Sequence, residues 1–183
     1  MSFIFKKLSI PEVILVEPQI YSDNRGYFFE SFKEIEFISN GMTKFIQDNF
    51  SHSTHQVIRG LHYQKNPKSQ AKLVTVLNGE IFDVAVDIRK NSPTYGKWVA
   101  EILSRNNHKS LFIPEGFAHG FCVLTKDADV LYKISKEYSI KDELGIIWND
   151  PTINITWPIE KPIISKKDKK LPLLENSENN FTY

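Results

Sequence analysis

The stretch from Ala71 to Ile88 constrains the fold more than any other part of the chain. Ala71 to Leu77 and Glu80 to Ile88 are two runs rich in β-branched residues, joined by Asn78-Gly79. That dipeptide tolerates the positive φ angles of a tight turn, so the pattern predicts a β-hairpin. In the second run Phe82, Val84, Val86 and Ile88 share one face, which reads as core, while Ile81, Asp83, Ala85 and Asp87 share the other. In the first run Lys72 falls on the face of Val74 and Val76, so a lysine points where apolar side chains point. It either enters a pocket or lies at the strand end and snorkels to solvent.

The same texture of short apolar runs and turn residues extends from about Val13 to Ile134, as in an antiparallel sandwich or barrel. One exception is Ser31 to Asn40, which predicts a short surface helix. Ser31 and Glu34 have capping-box spacing, Phe37 and Ile38 supply an apolar face, and Gly41 is the stop. Beyond Trp148 come Pro151, Pro158, Pro162 and Pro172 and the basic run Lys166, Lys167, Lys169 and Lys170, which predict a wrapping segment from about 149. Residues Glu175 to Asn180 are expected to fray. Without repeats or a sharp change of composition, the 183 residues read as one domain, 1–183, large enough to bury its own core.

Composition excludes several function classes. Twenty-three Lys+Arg against 22 Asp+Glu leave a formal charge of +1, so no overall field favours nucleic acid or an acidic membrane surface. Every apolar run is shorter than the roughly 18 residues of a membrane-spanning helix. Met1 to Lys7 lacks the apolar core of a signal peptide and Cys122 has no cysteine to pair with, so a cytoplasmic protein is expected. Cys122, in an apolar run, reads as a small buried hydrophobe.

Two histidines stand in informative strings, His62 in Arg59-Gly60-Leu61-His62-Tyr63-Gln64 and His119 in Pro114-Glu115-Gly116-Phe117-Ala118-His119. Gly60 suggests either a place where a ligand comes close to the backbone or a bulge, and a bulge would bring Arg59 and His62 to one side. Pro-x-Gly-x-x-His resembles the second motif of the cupin superfamily, whose histidines often hold a metal. The matching first motif is missing, because His62 is followed by Tyr63 and Gln64, so no metal is expected and the imidazoles are read as free for acid/base work.

Asp23 to Glu30, Gln47-Asp48-Asn49, Arg59 to Gln64, Gly79 to Arg89, Ile113 to Phe121 and Trp148 to Pro151 together resemble the dTDP-4-dehydrorhamnose 3,5-epimerase family, in order along nearly the whole chain. The resemblance implies an all-β cupin fold, a double-stranded β-helix or jelly-roll sandwich with a few short peripheral helices. It also implies a metal- and cofactor-free homodimer acting on the nucleotide sugar dTDP-4-keto-6-deoxyglucose, with no nucleic acid or membrane partner. By resemblance His62 is the base, Asp168 orients it, Tyr132 is the acid and Lys72 is the cation at the ketone oxygen. Arg25 and Arg59 suit the diphosphate. Glu30, the run Gln47, Asp48 and Asn49, and also Glu143 and Lys167 are expected substrate contacts, with Tyr138 stacked on the thymine and Phe28 nearby. His119 is expected to donate a hydrogen bond to the sugar or its enolate, oriented by Asp83. The N-terminal region of one subunit is expected to reach the pocket of the other, carrying Arg25 and Glu30 across. Competing readings are a single-carbon epimerase, a ketoisomerase or an enzyme for a different nucleotide sugar on the same fold, a sugar-binding jelly roll without chemistry, and a metal cupin oxygenase.

Overall fold

The computed structural model describes residues 2–183, leaving Met1 outside. The strands are β1 (Phe3–Lys7), β2 (Ile14–Pro18), β3 (Tyr21–Asp23), β4 (Gly26–Phe28), β5 (Gln47–Thr54), β6 (Val57–Gln64) and β7 (Lys72–Asn78). They continue as β8 (Glu80–Asp87), β9 (Trp98–Ser104), β10 (Ser110–Ile113), β11 (Phe117–Val123), β12 (Asp127–Ile134), β13 (Glu143–Gly145) and β14 (Ile163–Ile164). One helix, α1 (Glu34–Ser39), and two 3-10 turns, Asp168–Lys170 and Leu174–Asn176, complete the described chain.

Two sheets make a jelly-roll sandwich. The first has strand order β1-β2-β10-β7-β12-β5 and the second β13-β6-β11-β8-β9, with β14 added in parallel beside β6 and β3–β4 as a separate hairpin. Regular structure begins at Phe3, ten residues before the expected start, because Phe3 to Lys7 pairs with β2 and Phe3 packs on Phe37.

The predicted hairpin at Asn78-Gly79 is corrected by the sheet order. The two strands exist, but β7 pairs with β10 and β12 whereas β8 pairs with β11 and β9. The turn is the corner at which the chain leaves one sheet for the other. Gly79 has φ +76°, and a Cβ there would stand 2.1 Å from the Asp127 carbonyl oxygen, so the corner requires glycine. β8 is mostly buried on both faces, whereas on β7 Leu77 is 48% exposed.

Those faces serve two cores. Val74, Val76 and Val130 meet Ile81, Ala85, Phe117 and Phe121 between the sheets. Val84, Val86 and Ile88, on the face read as core, lie outside the sandwich beneath Ile153, Ile155, Leu174 and Phe181 of the C-terminal segment. The polar-bearing face, with Asp83, is the one turned to the interior. The segment beyond 149 packs across this outer face, and its last residues are held there. Asn179 donates to the Ile88 carbonyl, Phe181 is buried, and Lys90 bridges to Thr182. Tyr183 and Phe117 sandwich the Arg89 guanidinium at 4.9 and 4.8 Å. The expected fraying of Glu175 to Asn180 is thus overturned by apolar burial.

The helix starts three residues later than Ser31 and has no side-chain cap, since its N-cap is Lys33. Phe32 packs on Phe37 and Phe45 and holds the preceding chain extended, which removes Ser31 from the capping position. Phe37 is buried as expected, but Ile38 is 47% exposed because the helix covers the sheet with a single residue-wide stripe.

Phe181→Ala should destabilise the fold by about 3–5 kcal/mol, since a buried aromatic leaves a cavity. At about 2–4 °C per kcal/mol for a chain of this size, Tm should fall by roughly 6–20 °C in a thermal melt. An unchanged Tm would mean that the tail contributes nothing to stability.

Candidate active site

Strand parity assembles the site from both sheets. On the second sheet His119 stands opposite His62 in the β11–β6 register, so both imidazoles turn inward as cross-strand neighbours. On the first sheet Tyr132 stands opposite Asn49 and Val74, and Ile134 opposite Lys72, which puts Tyr132 and Lys72 on the inward face. A cavity of about 110 Å3 lies between, lined by His62, Lys72, Tyr132, Asn49, Tyr138 and Glu143. A groove on the other side of His62 is lined by Arg59, Ser165, Lys167 and Asp168.

Gly60 makes this arrangement possible. The β6–β11 register shifts between His119 and Phe121, the bulge expected from Gly60, and Arg59 and His62 line the same groove. Gly60 has φ +130°, and a Cβ there would stand 2.6 Å from Gly120 Cα and 2.8 Å from the His119 carbonyl oxygen. The two strands approach too closely for any side chain.

Asp168 is 4% exposed and its Oδ1 accepts a hydrogen bond from His62 Nε2 at 2.8 Å. Burial opposes ionisation of Asp168, but hydrogen bonds from His62, the Gly60 amide and the Ser165 hydroxyl outweigh it and hold the carboxyl below its ordinary range. A carboxylate can only accept, so Nε2 carries the proton and the neutral ring has its lone pair on Nδ1, the form that can take a proton. His119 makes a similar pair inside the sandwich, Nε2 donating to Asp83 Oδ1 at 2.7 Å, which is the orientation expected of Asp83. Burial lowers the His119 pKa. With Nε2 turned to Asp83, Nδ1 is the ring nitrogen left for other partners.

Lys72 enters the pocket instead of snorkelling. Burial lowers its pKa to about 8, opposed by the nearby Asp83 and Glu143. Burial also raises the Tyr132 phenol, so it keeps its proton at neutral pH. At the rim Glu143 accepts from Tyr138 Oη at 2.8 Å and pairs with Lys167, while the Tyr138 ring is 54% exposed and open to stacking. Gln47 Nε2 donates to Asn49 Oδ1 at 2.8 Å, and Arg59 donates to Ser53 and the His52 carbonyl.

Three expected contacts lie elsewhere in the single chain. Asp48 points to the opposite face of β5 from Gln47 and Asn49 and pairs with Lys133 at 2.9 Å, because alternate strand residues face opposite ways. Arg25 lies on the β3–β4 hairpin, ion-paired to Asp23 at 2.7 Å and lining a recess of that hairpin with Phe28. Glu30 follows the same hairpin. Gln64, whose parity with His62 is the signal for it in the sequence, also lines the cavity and holds the loop after β12 by accepting from the Ser139 amide. Ser165, which anchors the Asp168 amide at 2.9 Å, carried no signal in the sequence. Cys122 is fully buried and its thiol is pushed up to about 12 by burial, as an inert hydrophobe should be.

A sequence profile described as dTDP-4-dehydrorhamnose 3,5-epimerase matches residues 7–176. The chain belongs to this family. A curated Shigella flexneri dTDP-4-dehydrorhamnose 3,5-epimerase is 53% identical over 164 residues, covering 88% of this chain and 91% of that protein. A Legionella pneumophila 3,5-epimerase solved with dTDP-4-keto-L-rhamnose superposes with a TM-score of 0.91 at 45% identity, covering 95% of this chain and 94% of that one. The fold also accommodates a 3'-monoepimerase, from Streptomyces bikiniensis, solved with dTDP-quinovose (TM-score 0.87, 32% identity, 92% of this chain and 86% of that one).

Any turnover that needs the Lys72 ammonium should decline as pH rises through about 8, because the folded protein releases this proton earlier than a free lysine does. A plot of log kcat against pH checks this, and a rate that stays flat to pH 10 would remove Lys72 from the chemistry.

Proposed function

We propose that the protein is a nucleotide-sugar 3,5-epimerase that converts dTDP-4-keto-6-deoxy-D-glucose to dTDP-4-keto-L-rhamnose. The observation that carries this reading is His62 on one sheet, held from behind by Asp168 of the C-terminal segment, facing Tyr132 and Lys72 on the other sheet across one cavity. A proton on a carbon beside a ketone needs a base, a charge for the enolate oxygen and an acid on the opposite ring face. His62 Nδ1 takes the proton while Asp168 stabilises the imidazolium that forms. The Lys72 ammonium receives the enolate oxygen, and a preorganised donor there is worth about 3 kcal/mol of barrier. Tyr132 returns a proton to the other face, inverting the carbon; the phenol is then reprotonated and the imidazolium deprotonated by solvent. The same steps act at C3 and C5, without metal or cofactor.

Arg59 and Lys167 hold the diphosphate beside the groove they line, Glu143, Gln47 and Asn49 contact the substrate, and the exposed Tyr138 ring stacks on the thymine. Arg25 and Glu30, placed on or beside an exposed hairpin, act in the pocket of a second subunit, so the working unit is a homodimer. The 1–183 chain acts as one domain in the cytoplasm, on a soluble substrate. No helix among the described residues is long and apolar enough to cross a membrane.

Proton NMR of the substrate in heavy water should show loss of signal at both carbons flanking the ketone, and His62→Ala should slow it at least about a hundredfold. Exchange at one carbon would make the protein a mono-epimerase; exchange unaffected by the variant would refute the mechanism. Mixing inactive Arg25→Ala and His62→Ala proteins should restore about a quarter of wild-type activity, since half of the random dimers are mixed and each rebuilds one site. No recovery would place Arg25 in its own subunit's site or outside catalysis.

A further inference from the structure

The site holds a second carboxylate that the mechanism does not use. Asp83, on β8, is completely buried in the sandwich interior. Its Oδ1 accepts from His119 Nε2, while its Oδ2 is buried without a hydrogen-bond partner among the described residues. An unpartnered buried carboxylate oxygen is unfavourable, and an apolar or amide side chain of similar size would relieve that cost if the position served packing alone. Asp83 also acts electrostatically on Lys72, and Lys72 in turn on His119.

We propose that Asp83 is a positioning residue that acts through His119 and Lys72, fixing the tautomer of the imidazole and balancing the buried ammonium that receives the substrate oxygen. The groups facing this ammonium and imidazole are His62 from β6, Asp83 from β8, Tyr132 from β12 and Glu143 from β13. Glu143 is at the rim, where Lys167 and Tyr138 already engage it. Asp168 is committed to His62 and the Gly60 amide. Asp83 is the carboxylate on the closed side of the pocket, and the charge it supplies there counters the burial that drives Lys72 toward its neutral form. By holding His119 Nε2, it also leaves Nδ1 as an acceptor for a sugar hydroxyl or a Lys72 N–H.

This inference rests on the epimerase reading, and Asp83→Asn tests it, since the amide keeps the size and removes the charge. The variant should lower kcat at least about tenfold with KM within about threefold, and should move the alkaline limb of the kcat profile about one pH unit lower, because Lys72 loses its proton earlier. Asp83→Glu should return the limb toward the wild-type position. An Asp83→Asn rate with an unmoved limb overturns the proposal, whatever the size of the loss. Should Asp83→Asn fail to fold, histidine-nitrogen NMR of the wild-type protein decides: His119 protonated at Nε2 and bare at Nδ1 supports the assignment, and the reverse overturns it. Wild-type protein that exchanges no proton at either substrate carbon overturns the epimerase reading and this one together, whereas wild-type exchange matched by Asp83→Asn overturns this one alone.

Discussion

The hydrogen bond between His62 and Asp168 joins residues 106 apart in sequence, and it exists only because the C-terminal segment docks on the outside of the sandwich. Ile153, Ile155, Leu174 and Phe181 supply the apolar surface for that docking, and β14 adds a short parallel ladder beside β6. The energy that holds the segment is therefore mostly hydrophobic, while its chemical product is one correctly placed carboxylate. Packing at residues far from the cavity decides whether the base is oriented.

A second constraint is charge inside a small interior. Lys72, His62, His119 and Asp83 share the space between two sheets, with Asp168 reaching His62 from the segment docked beside β6, and each isolated ion there would be strongly disfavoured. Each imidazole is matched to one carboxylate, and the ammonium is left to the remaining field. That arrangement lets one set of burial effects do three jobs: it lowers the lysine toward neutral pH, keeps the tyrosine protonated and leaves His119 unprotonated. Such groups are dispersed on alternate positions of strands whose other residues pack the core, so their spacing is enforced by the same pleat that buries Val74 and Val130.

Much of this was legible in the sequence. Alternation placed Lys72 and Tyr132 on inward faces, Gly60 marked a bulge beside His62, and the ordered family strings pointed to the fold and to His62, His119 and the rim residues. What could not be read was pairing. The local pattern around Asn78-Gly79 favours a hairpin, but which strands pair depends on long-range partners that a single corner does not reveal. Asp168 sits in a run of lysines that reads as a solvated tail, and nothing local shows that the chain returns to the site there. The order of the last residues, expected to fray, comes from Phe181 finding an apolar surface made by strands a hundred residues away. Arg25 and Glu30 lie outside the single-chain cavity, and parity alone turns Asp48 away from it.

The distance along the chain between base and carboxylate also sets a schedule. A ribosome adding about 5–20 residues per second needs roughly 5–20 s to travel from His62 to Asp168, during which the imidazole exists without its orienting partner. The barrel can form strand by strand in that interval, but a chain released early carries every core strand and no oriented base. Placing the orienting group 106 residues after the base makes competence for proton transfer depend on the docking of the later segment.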